Sequence, residues 1–200
     1  MRKAVLYIHG KGGSAGEAAH YRPLFPDWDV IGLDYSAQTP WEAKEEFPGL
    51  FRGLCQEYDN VRVIANSIGA FFTMNALADQ RIQRAFFISP VVDMEKLILD
   101  MMSWANVTED QLRARREIET ADRETLSWEY LCYVREHPIR WTVPTHILYG
   151  DKDNLTTLET VSAFARQTGA TLTVMKDGEH WFHTPEQMAF LDEWIGNKRM

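Results

Sequence analysis

Short runs of apolar residues recur along the chain, and each ends close to a turn-forming residue. The runs are four or five residues long and rich in β-branched or aromatic side chains, a pattern typical of strands that are buried on both faces of a sheet. Six such runs are predicted as strands: Ala4–Ile8, Val30–Leu33, Val61–Ala65, Ala85–Ser89, His146–Tyr149 and Thr171–Met175.

Longer stretches between these runs have the spacing of helices. The last of them carries a helix-start signal, with Thr184 as N-cap, Pro185 at the first helical position and Gln187 three residues after the cap. Strands that alternate with helices indicate a mainly parallel sheet covered by helices on both faces. The predicted helices are Trp41–Tyr58, Ile68–Ala78, Thr156–Gln167 and Pro185–Ile195.

The segment from Val91 to Arg140 departs from this alternation, because it contains mixed charges and no run that we predict as a strand. Asn106–Glu109 indicates a helix start, and apolar and charged residues follow it at helical spacing. We therefore predict one α/β domain over residues 1–200, in which residues 91–140 form a helical cap insertion. The residues at helical spacing are Leu112, Arg115, Arg116 and Glu119.

Composition narrows the range of partners. The chain has 200 residues, 45% of them hydrophobic, which is enough for one packed core. Its net charge of −8 argues against binding nucleic acid or an anionic membrane through bulk electrostatics. The two cysteines, Cys55 and Cys132, are too few for a disulfide framework and fit a reducing compartment. We expect a cytoplasmic protein with a small-molecule partner.

A glycine-rich turn, His9-Gly10-Lys11-Gly12-Gly13-Ser14, follows the first predicted strand. Its backbone amides can approach a ligand closely because glycine has no Cβ. Gly10, Gly12 and Gly16, with Asp34 at the end of the next strand, also imitate a dinucleotide-binding fingerprint. The glycine spacing misses that fingerprint by one residue, which makes it the weaker interpretation.

Ala65-Asn66-Ser67-Ile68-Gly69 closes the third strand and opens a strongly apolar helix. A serine on such a sharp turn presents its hydroxyl above the sheet edge, and the residues two before and two after it must be small. Ala65 and Gly69 meet that requirement. The Ile68 amide would then lie at a helix N-terminus, which favours a developing negative charge.

With these two motifs the sequence resembles the α/β-hydrolase family, whose nucleophile elbow is usually Gly-x-Ser-x-Gly and whose oxyanion loop follows an earlier strand as His-Gly. Ala65 replaces the first glycine of the elbow. The resemblance covers nearly the whole chain and begins at the strand that carries the oxyanion loop. It implies a compact, six-stranded α/β-hydrolase fold.

The resemblance also implies an acid after the fifth strand, in Gly150-Asp151-Lys152-Asp153. This segment looks like the family's Gly-x-x-Asp turn and assigns the acid to Asp153. Asp151 is the rival, with an Asx-turn or a helix cap before Thr156 as its alternative role. Asp93 is a further candidate, since some hydrolases of this fold supply the acid after the fourth strand. Its alternative role is to cap a helix that begins near Met94.

For the base, the family uses a Gly-x-His or Gly-x-x-His loop after the last strand, which here is Asp177-Gly178-Glu179-His180. His180 is therefore the predicted base, and its ordinary pKa near 6.5 suits proton transfer at neutral pH. His183 is the alternative, but it directly precedes the Thr184 cap and is better suited to the helix start.

Together these residues predict a serine hydrolase that cleaves a small carboxylic ester, thioester or amide through an acyl-enzyme. Their order along the chain, Ser67, Asp153 and His180, is the one expected for this architecture. The amides of Lys11 and Ile68 are the predicted oxyanion hole. No cofactor or metal is needed, and the oligomeric state is not predicted. A non-catalytic ligand-binding or interaction module of the same fold is the alternative. The predicted substrate-binding residues are Gly10, Gly12, Asn66 and Trp181.

Overall fold

The computed structural model describes residues 1–121 and 123–199, and its main element is a six-stranded parallel sheet. A separate two-stranded hairpin accounts for the remaining strands described. In chain order the strands are β1 (Lys3–Ile8), β2 (Asp29–Gly32), β3 (Asn60–Asn66), β4 (Arg84–Ile88), β5 (Glu117–Glu119), β6 (Thr125–Ser127), β7 (Thr145–Gly150) and β8 (Thr171–Met175). The strands of the sheet follow the order β2-β1-β3-β4-β7-β8, which confirms the predicted architecture.

Helices occupy most of the connections. Side chains cap several of them: Thr39 accepts a hydrogen bond from the Glu42 amide, and Thr184 accepts one from the Gln187 amide, as predicted for the last helix. The helices are α1 (Ala18–Tyr21), α2 (Pro40–Glu57), α3 (Ile68–Leu77), α4 (Met94–Trp104), α5 (Glu109–Arg115), α6 (Trp128–Glu136), α7 (Leu158–Thr168) and α8 (Pro185–Lys198).

The order of the strands reverses at β1. The chain passes from β1 outward to β2 and then returns to the other side of β1 to form β3. Strands β1 and β3 end at the same edge of the sheet, since Ile8 lies in register with Ala65. In open parallel sheets, ligands bind at the carboxyl ends of the strands next to such a reversal. The loops after β1 and β3 are therefore the expected place for a site.

Both faces of the sheet are covered. Alternate strand residues such as Val5, Ile64 and Phe86 belong to one core cluster with Trp194 and Ile195 of α8. The strand residues between them point to the opposite face, and they are equally buried. Because the side chains on both faces are buried, the strands do not alternate between apolar and polar residues. The residues on the opposite face include Leu6, Val63, Ala65, Phe87 and Ile147.

The described chain divides into two compact units. One comprises residues 1–92 together with the chain from Arg140 onward, and contains the parallel sheet. The other is Asp93–Ile139, which contains α4, α5, α6 and the hairpin of β5 and β6. Within the second unit, Arg135 bridges Glu95 and Glu109, with N–O distances of 2.7 Å to each.

The hairpin corrects two sequence expectations. We predicted no strand between residues 91 and 140, and we extended the helix that begins after Thr108 as far as Glu119. The helix ends at Arg115, because Arg116 has a positive φ of 69°, which does not continue a right-handed helix. The Arg116 carbonyl then accepts a hydrogen bond from the Trp128 amide, and Glu119 pairs with Thr125.

Among the helices described, none combines the length and the apolar character that crossing a bilayer requires.

Candidate active site

Ser67 occupies the sharp turn between β3 and α3. Its backbone has φ of 49° and ψ of −121°, a conformation that L-residues rarely adopt. Three backbone hydrogen bonds hold it there. The Ser67 amide donates to the Ile88 carbonyl at 3.0 Å, and the Ser67 carbonyl accepts from the amides of Ala70 and Val91, each at 3.1 Å. The turn is therefore fixed from both β4 and α3.

Close backbone approach explains the small residues around Ser67. A Cβ on Gly69 would lie 2.3 Å from the His9 carbonyl oxygen, so a larger residue would push the elbow away from the loop after β1. A Cβ on Gly10 would lie 3.2 Å from Ser67 Cβ. Ala65 is fully buried. The elbow and the glycine-rich turn are therefore packed directly against each other.

The structure brings the side chains of Ser67, His180 and Asp153 into one hydrogen-bonded chain. His180 Nε2 lies 2.8 Å from Ser67 Oγ, and His180 Nδ1 lies 2.7 Å from Asp153 Oδ2. An ionised carboxylate can only accept, so in the neutral ring the proton is on Nδ1. Nε2 is then free to accept the hydrogen bond of the Ser67 hydroxyl.

The Asp153 carboxylate accepts hydrogen bonds from several donors. Its side chain is fully buried, whereas 14% of the His180 side chain is exposed. Besides His180, the carboxylate accepts from the amides of Leu155 at 2.8 Å and Thr156 at 3.0 Å. The Thr156 hydroxyl donates to Oδ2 at 3.3 Å. These bonds offset the cost of burying a charge and fix the direction of the oxygen that faces His180.

The two rival acids have other partners. Asp151 Oδ1 accepts from the Asp177 amide at 2.7 Å and so ties the loop after β7 to the loop after β8. The expectation that Asp151 forms the turn before Thr156 is wrong, because Asp153 makes those bonds. Asp93 caps α4 by accepting from the Lys96 amide at 2.9 Å, as its alternative role predicted.

His183 serves the start of α8, as the sequence indicated. Its amide donates to Gln187 Oε1 at 3.0 Å, and its Nδ1 lies 2.7 Å from the Trp181 carbonyl oxygen. The His183 ring also stacks on the Trp181 ring, with 4.6 Å between centroids. Trp181 is 73% exposed, which is unusual for so large an apolar side chain.

The glycine-rich turn is closed by one backbone hydrogen bond, from the Gly13 amide to the Gly10 carbonyl at 3.1 Å. Gly12 has φ of 74°, so glycine is favoured there. His9 contacts the turn, because its Nδ1 lies 2.8 Å from the Gly10 carbonyl oxygen. The His9 ring also stacks on the Tyr35 ring, with 4.2 Å between centroids. Lys11, at the tip, is exposed.

The dinucleotide interpretation does not fit the structure that follows this turn. In a dinucleotide-binding fold a long helix begins at the glycines and directs its N-terminus at the pyrophosphate. Here Ser14 leads into a single 3-10 turn, Ala15–Glu17, and the next helix, α1, is four residues long. By contrast, α3 is ten residues long and begins directly after Ser67, at Ile68.

Sequence reasoning missed two polar residues beside the elbow. Tyr7 Oη donates to Glu17 Oε2 at 2.5 Å and accepts from Asn66 Nδ2 at 2.9 Å. Burial is the main cause that raises the pKa of Tyr7, and the neighbouring Tyr21 and Glu17 add to it. Tyr7 lies in an apolar run, which gives no hint of a polar partner. The Ser14…Glu17 spacing of a capping box was the available signal.

The described residues, 1–121 and 123–199, hold no group of three or more histidine, cysteine, aspartate or glutamate side chains that could bind a metal ion. The roles predicted for Lys11 and Ile68 in oxyanion binding, and for Gly10, Gly12, Asn66 and Trp181 in substrate binding, stay predictions.

Comparison with known proteins adds evidence for the fold. Neither a protein-family model nor a curated protein sequence matches the chain. Solved structures do. Est1E from Butyrivibrio proteoclasticus aligns with a TM-score of 0.76 at 17% identity, over 98% of this chain and 86% of its own. Alpha/beta hydrolase domain-containing protein 10 from mouse aligns at 0.75 and 14% identity, over 97% and 88%. An esterase from Pyrococcus furiosus aligns at 0.62 and 19% identity, over 98% and 80%. With this topology and these structural neighbours, the chain has the α/β-hydrolase fold.

Proposed function

We propose that the protein is a serine hydrolase that cleaves small carboxylic esters through an acyl-enzyme, with Ser67 as nucleophile, His180 as base and Asp153 as acid. The observation that carries the proposal is the pair of hydrogen bonds from Ser67 Oγ to His180 Nε2 and from His180 Nδ1 to Asp153 Oδ2, at 2.8 and 2.7 Å. A hydroxyl, an imidazole and a buried carboxylate in this order are the groups that acyl transfer requires.

In the first half of the reaction, Ser67 Oγ attacks the carbonyl carbon of the ester while its proton moves to His180 Nε2. The imidazolium that forms is stabilised by Asp153, which also keeps the ring in the required tautomer. When the tetrahedral intermediate collapses, the bond to the alcohol oxygen breaks. His180 returns its proton to that oxygen, and the alcohol leaves.

In the second half, water replaces the alcohol. His180 takes a proton from the water as its oxygen attacks the acyl carbon, and it returns the proton to Ser67 Oγ when the acid is released. The exposed 14% of the His180 side chain is compatible with access of water to the ring.

The oxyanion of each tetrahedral intermediate needs donors near Ser67. The Ile68 amide stands in the first turn of α3, where amides have no acceptor within the helix. The Lys11 amide belongs to the turn that packs against Ser67 Cβ through Gly10. We assign these two amides to the oxyanion hole, and each such donor contributes about 3 kcal/mol to transition-state binding.

The structural neighbour from Pyrococcus furiosus reported above is named an esterase, which favours an ester as the scissile group. One solved structure of Est1E contains bound ferulic acid, an aromatic carboxylic acid. The exposed Trp181 follows His180 directly in the chain. Short aliphatic and aromatic esters are therefore the first substrates to test, followed by thioesters and amides.

The experiment compares the wild type with Ser67→Ala on p-nitrophenyl acetate, butyrate and octanoate, ethyl ferulate and an acyl thioester. We expect wild-type turnover of at least one ester and a loss of more than 10³-fold in Ser67→Ala. Ser103→Ala, which changes an exposed serine of the second unit, is the matched control and should keep full activity. Equal turnover by wild type and Ser67→Ala would refute the proposal.

A further inference from the structure

A second hydrogen-bonded chain lies behind Ser67 and joins the elbow to the glycine-rich turn. Its centre is the carboxylate of Glu17, whose two oxygens have different partners. Oε1 accepts from the Ser14 amide at 2.9 Å, and Oε2 accepts from the Tyr7 hydroxyl at 2.5 Å. One side chain therefore contacts both the loop after β1 and the end of β1 itself.

On the loop side, Glu17 presses against the glycine-rich turn. A Cβ on Gly13 would lie 2.7 Å from Glu17 Oε1, so the carboxylate is packed directly against the Gly13 backbone. The Gly13 amide closes the turn by donating to the Gly10 carbonyl. Glu17 therefore contacts the Gly13 end of a turn whose Gly10 end directly precedes Lys11.

On the elbow side, Tyr7 transmits the contact to Asn66. The Tyr7 hydroxyl accepts from Asn66 Nδ2 at 2.9 Å, and Asn66 immediately precedes Ser67. Ser67 holds a strained backbone conformation, and such strain persists only where surrounding contacts over-determine it. The bond to Asn66 is one of those contacts.

The chemistry of the three groups makes this chain directional. A hydroxyl that donates to a carboxylate forms a short, charge-assisted hydrogen bond. A carboxylate oxygen only accepts and a side-chain amide nitrogen only donates, so the Tyr7 hydroxyl donates to Glu17 Oε2 and accepts from Asn66 Nδ2. The order Asn66 to Tyr7 to Glu17 is therefore fixed.

We propose that Glu17 is a positioning residue of the hydrolase, which through Tyr7 and Asn66 holds the oxyanion turn and the nucleophile elbow at the separation that acyl transfer requires. The proposal rests on the proposed function, since it assigns Glu17 a part in the same reaction. It adds a residue that touches neither substrate nor reacting atoms.

The test uses Tyr7→Phe, Glu17→Ala and the double variant, each assayed on the best ester substrate. Tyr7→Phe keeps the buried ring and removes only the hydroxyl, and Glu17 lies at the surface, so its truncation leaves no cavity. We expect kcat to fall about tenfold to a hundredfold in each single variant, with KM within about twofold of the wild-type value. The double variant should lose no more than the worse single variant, because both break one chain.

Glu42→Ala is the matched control, since Glu42 occupies the same position of a capping box and accepts from the amides of Gln38 and Thr39. Its kcat should equal that of the wild type, measured well below the melting temperature of every variant. If kcat stays within about twofold of wild type in both single variants, or if the double variant loses the product of the two single losses, the proposal is overturned.

Amide hydrogen exchange separates this proposal from the function on which it rests. Peptides that contain residues 10–14 and 66–70 should exchange faster in Tyr7→Phe and Glu17→Ala than in the wild type and Glu42→Ala. Unchanged exchange in both variants overturns the positioning link, whatever their activity. Faster exchange together with a wild type that hydrolyses no ester would support the link and refute the hydrolase assignment instead.

Discussion

Gly150 and Gly178 lie back to back, and their contact joins the loop that carries Asp153 to the loop that carries His180. A Cβ on Gly150 would lie 2.3 Å from the Gly178 carbonyl oxygen, and a Cβ on Gly178 would lie 3.0 Å from Gly150 Cα. The same carbonyl accepts from the Lys152 amide at 2.8 Å. The separation of the proposed acid and base therefore depends on the absence of two side chains.

The first prediction follows from this contact. Gly150→Ala should lower the free energy of unfolding by about 1–3 kcal/mol, because the new methyl group overlaps backbone atoms that cannot rotate away. Activity should fall as well, since the two loops must separate. Urea denaturation and ester hydrolysis measure the two effects.

Gly53→Ala is the control for that substitution. Gly53 lies in α2, and a Cβ there would meet open space. The change should stabilise the protein by about 0.5–1 kcal/mol, as alanine does in helix interiors, and leave activity unchanged. Equal stability of Gly150→Ala and the wild type would contradict the described contact.

Replacing each aspartate separately with asparagine tests which carboxylate is the acid. Asp153→Asn should lower kcat by about 10⁴-fold, because an amide no longer selects the His180 tautomer that accepts from Ser67. Asp151→Asn should retain most activity, since Asp151 binds the Asp177 amide. Steady-state kinetics of both variants measure the two losses of kcat. Equal losses would contradict the assignment of Asp153 as the acid.

The strained backbone of Ser67 predicts a difference between two inactive variants. Ser67→Gly and Ser67→Ala both lose the hydroxyl, but only glycine adopts the native conformation without a Cβ penalty. Ser67→Gly should therefore be more stable than Ser67→Ala by about 1 kcal/mol. Thermal melts measure the difference, and a more stable alanine variant would show that the turn is not strained.

His146 predicts how stability depends on pH. Burial, followed by the nearby Arg84 and Lys198, lowers the pKa of His146 below its ordinary value of 6.5. Near and below pH 6.5 the unfolded chain therefore binds more protons than the folded one, so the free energy of unfolding decreases as the pH is lowered through this range. The melting temperature of the wild type should drop more between pH 7.5 and pH 5.5 than that of His146→Gln. Parallel profiles would mean that His146 titrates alike in both states.

The sheet could be predicted from sequence because strands buried on both faces leave a continuous apolar signal. The ends of the strands were predicted less accurately. Leu33 was predicted as a strand residue, and although β2 ends at Gly32, the Leu33 amide still donates to the Tyr7 carbonyl at 2.8 Å. Apolar pattern alone does not mark where such a ladder loses regular pairing.

The candidate site was predicted in part. Ser67, Asp153 and His180 could be identified because each follows a strand in a recognisable turn, and the structure brings them together. The roles of Asp151 and Asp153 depended on the direction of one turn, in which the Asp153 amide donates to the Gly150 carbonyl. Tyr7 and Asn66 are 59 residues apart, and no local pattern reports their contact. For Glu17 the local signal was the Ser14…Glu17 spacing of a capping box, which does not point to Tyr7.

The most direct test of the central claim is the mass of the protein after treatment with a fluorophosphonate, which reacts preferentially with an activated serine. We predict a single adduct on Ser67 in the wild type and none in Ser67→Ala, with labelling strongly slowed in His180→Ala. A folded wild-type sample that carries no adduct, or carries it on another serine, would contradict the account and favour a non-catalytic binding role for this fold.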